Sequence, residues 1–281
     1  MKITRRDTLV LGAAASVLSL CGVAGAHAAE GDMVDVAALM APAGGYTDHV
    51  LGSPDAPVTV IEYASPTCPH CADFSNNVEP AFIEAYVDTG KVRFILRPFL
   101  RNALDAAVFL LAEAAGPTNY HNVISTFFRT QTEWATSQTP RDALFTVASQ
   151  LGFTQETFEA ALTNQAPYTG MEALREQALN DFGLAGTPTF YVNGKTLTGD
   201  KTLEQLAAEI DPLVPADFVP TTGAATPADA EASDAVAPAA AATPAGTDAA
   251  TPAADAAAPA AGAAPAADAD APAEPAATPA Q

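Results

Sequence analysis

Cysteine is scarce in this chain, which has only three among its 281 residues, at positions 21, 68 and 71. A structural zinc site needs four ligands, and the histidines outside the Cys68–Cys71 segment follow no paired spacing. A c-type haem needs a histidine directly after the second cysteine, where this chain has Ala72. A purely structural disulfide across so short a segment would close too small a loop to add much stability. Cys68 and Cys71 are therefore predicted to be redox-active.

Basic residues are also few. The chain has 12 lysines and arginines against 33 aspartates and glutamates, a formal net charge of −21, and residues 217–281 contain no base at all. A surface this acidic repels the phosphates of nucleic acids and of anionic lipids. We therefore expect neither nucleic acid nor an anionic membrane surface as a partner.

The first residues have the three parts of a secretory signal: a basic start, an apolar centre and small residues before a cleavage site. Residues 1–28 are predicted to be this signal peptide, with Ala24-Gly25-Ala26 and Ala26-His27-Ala28 as candidate cleavage sites. Arg5-Arg6 partly matches a twin-arginine signal, and an ordinary Sec signal is the alternative. Cleavage would remove Cys21. We expect export to the periplasm, an oxidising compartment that suits dithiol chemistry.

The C-terminal part, residues 217–281, is a low-complexity sequence rich in alanine, proline and aspartate. It has no large apolar residue after Val236, so it cannot bury a core of its own. Its frequent prolines interrupt every alanine run before a helix can propagate. A disordered tail is predicted, and it would serve as a solubilising extension or as a spacer.

Between the signal and the tail, strand and helix patterns alternate. A continuous apolar run indicates a central strand, glycine and proline pairs mark helix ends, and Asn193-Gly194 is a strong hairpin signal. The predicted elements are a short helix at 32–40, a strand at 57–63, a helix at 69–88 kinked at Pro80, a strand at 91–99, only helices from 102 to 182, strands at 188–192 and 195–198, and a helix at 202–210. This order predicts an α/β thioredoxin fold with an inserted all-helical subdomain.

The predicted domain organisation has an N-terminal lead-in at 29–45 and a main domain at 46–216, whose helical insertion covers about 102–182. Gly116-Pro117, Thr139-Pro140 and Ala166-Pro167 are predicted to separate the helices of the insertion. Trp134 and Phe127-Phe128 are predicted to lie in the core of this helical block rather than on a substrate surface.

The segment Cys68-Pro69-His70-Cys71 carries the chemistry, because it ends the first strand and opens a helix. At a helix N-terminus, unpaired N–H groups and the helix dipole favour a thiolate over a thiol. His70 adds a partly cationic donor near the same sulfur. Cys68 is therefore predicted to be the nucleophile, and Cys71, one turn further on, the shielded resolving thiol.

Three ordered segments carry a resemblance to a known family: LGSPDAPVTVIEYASPTCPHCADF, GKVRFILRPF and AGTPTFYVNG. Together, from about Tyr46 to Ile210, they resemble the DsbA family of secreted thiol–disulfide oxidoreductases. The resemblance implies that Cys68 and Cys71 alternate between a disulfide and a dithiol. It also identifies Pro69 and His70 with the intervening pair of strongly oxidising family members.

Three further site residues follow from the resemblance. Thr187 and Pro188 match the family's cis-proline segment, whose backbone pairs with an extended substrate strand. Glu62, six residues before Cys68, matches a buried acid that moves a proton during exchange. Burial of a lone carboxyl in an apolar strand raises its pKa, which fits this role. The alternative is that Glu62 reaches the strand edge and is solvated.

The resemblance implies a monomeric enzyme that introduces disulfides into unfolded or partly folded exported proteins. A membrane partner linked to quinones would reoxidise it, and no organic cofactor is needed because the cysteine pair carries the electrons. Thr187 stands where strong oxidants of the family often have valine, which leaves a disulfide reductase or isomerase, served by a membrane reductant, as the alternative. A third possibility is a copper-binding module in which two sulfurs and His70 hold Cu(I). No other metal site is expected.

Overall fold

The computed structural model describes residues 28–220. Residues 1–27 of the predicted signal peptide and the predicted tail from residue 221 onward lie outside the described residues. Five strands form one mixed sheet in the order β1-β3-β2-β4-β5. They are β1 Val50–Leu51, β2 Val58–Ala64, β3 Val92–Pro98, β4 Thr189–Val192 and β5 Lys195–Thr198.

Strand β2 lies at the centre of the sheet, where it pairs in parallel with β3 and antiparallel with β4. Six of its seven residues are buried, as its continuous apolar sequence predicts for a strand covered on both faces. The β4–β5 hairpin turns at Asn193 and Gly194, both with positive φ, which confirms the predicted two-residue turn. The two-residue strand β1 was not predicted, because it is too short to show a periodic pattern.

The helices cover both sides of the sheet. They are α1 Val36–Leu39, α2 Pro69–Asn77, α3 Glu79–Phe82, α4 Ala103–Ala114, α5 Tyr120–Arg129, α6 Gln131–Trp134, α7 Pro140–Gln150, α8 Gln155–Leu162, α9 Gln165–Asn180 and α10 Leu203–Ile210. Among residues 28–220, none of these helices has the length and apolar character needed to cross a membrane.

The predicted helix at 69–88 is divided into α2, α3 and a π-helical turn at Ile83–Val87. The division falls at Val78, two residues before Pro80. Pro80 has no backbone N–H to donate a hydrogen bond to the preceding turn. The kink predicted from Pro80 is therefore confirmed.

Helices α4–α9 form the block inserted between β3 and β4. Trp134, Phe127 and Phe128 are buried in it, as predicted. The predicted break at Ala166-Pro167 is wrong, because α9 begins at Gln165 and continues through both residues. Pro167 lies in the first turn, where a missing N–H costs no intrahelical hydrogen bond.

The predicted helix at 32–40 is only partly correct, since α1 covers only its second half, Val36–Leu39. The residues before α1 run alongside β5 instead: Gly31 N–H donates to Thr196 O at 2.8 Å, and Thr196 N–H donates to Asp32 O at 2.8 Å. These bonds cover the backbone groups of an edge strand. The N-terminal segment therefore extends the sheet rather than forming a longer helix.

Candidate active site

Cys68 lies at the junction between the central strand and helix α2. Its backbone is extended and it caps the helix, with Pro69 at the first helical position, where no N–H donor is needed. The backbone N–H groups of His70 and Cys71, in the first turn of the helix, help to lower the pKa of Cys68. The local sequence thus places the sulfur at the helix N-terminus, as predicted.

The pKa of Cys68 is lowered from 9.0 to about 5. The largest cause is the Cys71 thiol, which donates a hydrogen bond to the thiolate. Burial opposes the shift, while the Thr187 side chain and the backbone N–H groups of Cys71 and His70 lower the pKa further. At neutral pH the Cys68 thiol is therefore predominantly ionised.

The pKa of Cys71 is shifted in the opposite direction. Cys71 is fully buried, and its pKa is raised well above 9.0 by desolvation, by its hydrogen bond to Cys68 and by the nearby charges of Glu62 and Cys68. Both cysteines are free thiols in the structure. The site therefore holds one thiolate and one thiol, which is the asymmetry that a nucleophile and a resolving residue require.

The ring of His70 turns toward solvent. Its Nδ1 lies 2.6 Å from Asp200 Oδ2 in the loop after β5, and both side chains are at least half exposed. His70 acts on the Cys68 sulfur through its backbone N–H. The predicted contribution of its ring to the thiolate therefore stays a prediction. Nothing in the sequence indicated Asp200, because the contact joins the first turn of α2 to a loop distant in the chain.

Thr187 and Pro188 lie directly beside the cysteine pair. The Thr187-Pro188 peptide bond is cis, and the Thr187 carbonyl oxygen lies 3.3 Å from Cys68 Sγ. An open depression next to Cys68 is lined by Phe99, Arg101 and the Ala185–Thr187 segment. This depression leaves room for a polypeptide to approach the sulfur along the backbone of Thr187.

Glu62 lies on β2, and its side chain is 1% exposed. The alternative of a solvated strand-edge residue is therefore wrong. Its Oε1 has no hydrogen-bond partner, and its pKa is raised well above 4.5 by burial, followed by the charges of Glu79 and Cys68. A protonated carboxyl thus lies in the electrostatic field of the cysteine pair, where it is able to give or take a proton.

The loop between β2 and Cys68 is fixed by Asp105, a buried residue in the first turn of α4. Its Oδ1 accepts from Ser65 Oγ at 2.9 Å and from Thr67 N–H at 2.8 Å, and its Oδ2 accepts from Arg101 N–H at 2.8 Å. Asp105 was not predicted from the sequence, because an acid behind the N-cap residue of a helix is commonplace.

A second residue of the helical insertion holds the same loop. Gln131 Nε2 donates to the carbonyl oxygens of Pro66 at 2.7 Å and Cys68 at 2.9 Å. The insertion therefore positions the nucleophile, although no sequence signal marks Gln131.

Metal binding has little support in the geometry. Within residues 28–220, no group of three or more histidines, cysteines, aspartates and glutamates is placed to hold a metal ion. Of the ligands considered for Cu(I), the His70 ring is paired with Asp200.

Comparison with known proteins supports the fold. A family model described as thioredoxin matches residues 45–212. A Rickettsia felis protein named as a protein-disulfide oxidoreductase is 31% identical over 168 residues, which cover 58% of this chain and only 59% of that protein. Disulfide bond formation protein D of Bacillus subtilis is 25% identical over 171 residues, covering 58% of this chain and 75% of that protein.

Solved structures support the same assignment. The crystal structure of a Wolbachia pipientis alpha-DsbA1 variant has a TM-score of 0.59 at 28% identity, covering 64% of this chain and 96% of that chain. The predicted thioredoxin fold with an inserted helical subdomain is confirmed.

Exchanging Cys71 for alanine or serine tests the main cause of the low Cys68 pKa. Cys71→Ala removes the donor and is expected to raise the pKa, lowering the thiolate population at pH 6 by about tenfold. Cys71→Ser keeps an O–H donor and should retain most of the shift. Titration of the thiolate absorbance at 240 nm measures both variants. Equal pKa values in the two variants would contradict this account.

Replacing Asp105 tests whether the loop depends on its carboxylate. In Asp105→Asn, one oxygen becomes an N–H₂ group that faces an N–H or O–H donor, so the free energy of unfolding should fall by about 1–3 kcal/mol. Asp142→Asn is the matched control, because Asp142 lies in the first turn of α7 but is exposed. Urea unfolding measures the difference. Equal stabilities of the two variants would contradict the claim that the Asp105 carboxylate stabilises the loop before Cys68.

Proposed function

Since the chain belongs to the thioredoxin family, within its DsbA-like branch, we propose that it is a thiol–disulfide oxidoreductase that introduces disulfides into exported proteins. The observation that carries this proposal is the asymmetry of the cysteine pair: the pKa of Cys68 is lowered to about 5, whereas that of Cys71 is raised well above 9.0. Such a pair favours reaction at one sulfur and retention of the other as a thiol.

The proposed reaction begins with the Cys68–Cys71 disulfide. A substrate thiolate attacks Cys68 Sγ, the disulfide breaks, and Cys71 leaves with a proton donated by the buried carboxyl of Glu62. The second substrate thiolate then attacks the substrate sulfur of the mixed disulfide, and Cys68 leaves as a thiolate. The substrate loses two electrons as its disulfide forms, and the cysteine pair gains them.

The low pKa of Cys68 favours the oxidising direction. A stabilised thiolate is a good leaving group, and it makes the reduced form more stable relative to the disulfide. The equilibrium therefore favours transfer of the disulfide to the substrate. Pro69 contributes by starting the helix whose N–H groups face the sulfur.

An extended polypeptide is the proposed substrate form. The backbone of Thr187, next to Pro188, would pair with it strand to strand, while the depression lined by Phe99 and Arg101 accommodates neighbouring side chains. Unfolded or partly folded exported proteins with cysteines present such segments. This substrate class agrees with a depression that is open to solvent beside the reactive sulfur.

The proposed location is the periplasm, after removal of the signal peptide predicted at residues 1–28. A quinone-linked membrane partner would reoxidise Cys68 and Cys71, and the protein would act as a monomer without an organic cofactor. We further propose that residues 46–216 form the catalytic domain and that residues 217–281 form a C-terminal tail.

A periplasmic reductase or isomerase is the second candidate, and the observation that favours it is Thr187. Its hydroxyl oxygen is buried beside the reactive sulfur, where a valine would present only methyl groups. A hydroxyl that responds to the sulfur's charge changes the balance between disulfide and dithiol. In this direction a membrane reductant would replace the quinone-linked partner.

The reduction potential of the Cys68/Cys71 couple, measured against glutathione, distinguishes the two directions. We expect a strong oxidant, with a reduction potential of about −120 mV, and a disulfide when thiols are trapped in the native compartment. A potential of about −270 mV with a trapped dithiol would instead assign a reductase. Stoichiometric copper on the purified reduced protein, lost in Cys68→Ser, would assign a metal-binding module.

The pH dependence of stability provides an independent test. The folded pKa of Cys68, about 5, is below its ordinary value of 9.0, so between these values the folded reduced protein binds fewer protons than the unfolded chain. Ionisation of Cys68 therefore stabilises the folded protein at alkaline pH, and this contribution is lost as the pH falls through about 5. The Tm difference between the reduced protein and Cys68→Ser should widen from pH 4 to pH 8. A constant difference would contradict the lowered pKa.

A further inference from the structure

A second acid, Glu79, is buried in the same layer of the protein as Glu62. It is the first residue of α3, its side chain is 7% exposed, and the proposed mechanism does not use it. A buried carboxyl with no basic partner is costly, so its position calls for a physical explanation.

Two aromatic pairs place Glu79 over the face of the sheet that carries Glu62. Glu62 pairs with Phe190 on β4, so both side chains point to the same face, and Phe74 of α2 packs on Phe190 at 4.7 Å between ring centroids. Phe94 lies on that face of β3, and Phe82 of α3 packs on it at 5.5 Å. Glu79 lies between Phe74 and Phe82 in the chain.

A row of polar side chains connects Glu79 to the cysteine pair. Cys71, Ser75 and Glu79 follow one another at intervals of four residues and are all buried, which places them on the inner side of α2 and the start of α3. Ser75 Oγ donates to Glu79 Oε2 at 2.6 Å. Glu62, with its unpartnered Oε1, faces the same layer from below.

We propose that Glu79 forms a pair of interacting buried carboxyls with Glu62, and that its charge controls, through Glu62, the proton transfer to Cys71. This inference rests on the proposed function, since it concerns the protonation step of that exchange. Glu79 does not touch the reacting sulfurs, so it is a positioning residue for the proton and not a catalytic one.

The control arises because two nearby carboxyls in an apolar layer do not ionise independently. Burial raises the pKa of Glu79 to about 7, against the smaller opposing effect of the Ser75 hydrogen bond. When Glu79 is ionised, Glu62 holds its proton more tightly. When Glu79 is neutral, Glu62 gives up its proton to the departing Cys71 more readily and becomes a carboxylate, which regains a proton from solvent.

The other groups around Glu79 leave this pair isolated. From β2 it faces Glu62. Beyond Ser75 lie the buried thiol of Cys71 in α2 and the sulfur of Cys68, which is a thiolate in the reduced protein. Phe94 of β3 and Phe190 of β4 face α2 and α3. From α10, Leu206 and Ile210 are buried, and its two glutamates are at least partly exposed. The π-helical turn after α3 contributes Tyr86, whose hydroxyl donates to Asp211 at 3.1 Å, and the exposed Glu84. No basic side chain in residues 28–220 hydrogen-bonds or forms a salt bridge with Glu62 or Glu79 in the structure.

Glu79→Gln tests the proposal, because it removes the charge while keeping the size of the side chain. The rate at which glutathione reduces the oxidised protein is measured from pH 5 to pH 9. Without a charged neighbour, Glu62 loses its proton at lower pH. The decrease in rate at alkaline pH, here called the alkaline fall, should therefore occur at a pH lower by about one unit or more. Glu84→Gln is the matched control, since Glu84 is an exposed glutamate on the following turn and should leave the profile unchanged.

A second readout does not depend on activity. The folded pKa of Glu79, about 7, is above its ordinary 4.5, so its favourable contribution is present below 4.5 and is lost as the pH rises through about 7. Glutamine does not titrate, so Glu79→Gln should have a higher Tm than wild type at pH 8 and a similar one at pH 4. Ser75→Ala, which removes only the hydrogen bond, should move the alkaline fall in the same direction as Glu79→Gln but less.

Superimposable rate profiles for wild type and Glu79→Gln would overturn the proposal, as would equal Tm differences at pH 4 and pH 8. If Glu79→Gln fails to fold, an unchanged profile in Ser75→Ala overturns it instead. If the wild-type protein does not react with glutathione, the proposed function fails. In that case a pH-dependent Tm difference would still establish the raised pKa of Glu79, and the control over exchange would be withdrawn with the function.

Discussion

The chemistry of this protein depends on one hydrogen bond, in which the buried Cys71 thiol donates to the Cys68 thiolate. The bond has opposite effects on its two ends, lowering the pKa of Cys68 and raising that of Cys71. It requires one sulfur at the mouth of the site and the other behind it, one helical turn apart. A strand that ends directly before a helix provides this arrangement, and the rest of the fold keeps it in place.

The fold keeps the arrangement through contacts from distant parts of the chain. The central strand carries Glu62 beneath the sulfurs, and the helical insertion contributes Asp105 and Gln131, which hold the loop before Cys68. The segment before β4 brings the Thr187 carbonyl to the open side of Cys68. The insertion is therefore part of the active-site scaffold, because a shift of α4 or α6 would move the nucleophile with it.

Local patterns were sufficient to predict much of this architecture. A continuous apolar strand, the Asn193-Gly194 turn and the C-x-x-C segment each depend on neighbouring residues, so the sequence shows them directly. The bonds of Asp105 and Gln131, the His70–Asp200 pair and the pairing of residue 31 with β5 join segments far apart in the chain. Such contacts arise only when the chain folds, and the residues that make them look ordinary in sequence. Pro167 was misread because a proline in a first turn has the same sequence signature as one that ends a helix.

The buried carboxyls show how the site combines reactivity with stability. Glu62 and Glu79 lie in an apolar layer where hydrophobic side chains would fold more favourably, and each acid keeps its proton to a higher pH than an exposed carboxyl does. A proton held inside the protein near neutral pH is what the buried sulfur needs, because solvent does not reach Cys71 directly. A salt bridge would stabilise the acids better, but it would also hold them ionised and leave no proton to transfer. The absence of a basic contact to Glu62 or Glu79 in residues 28–220 is therefore consistent with a site arranged for proton transfer at some cost in stability.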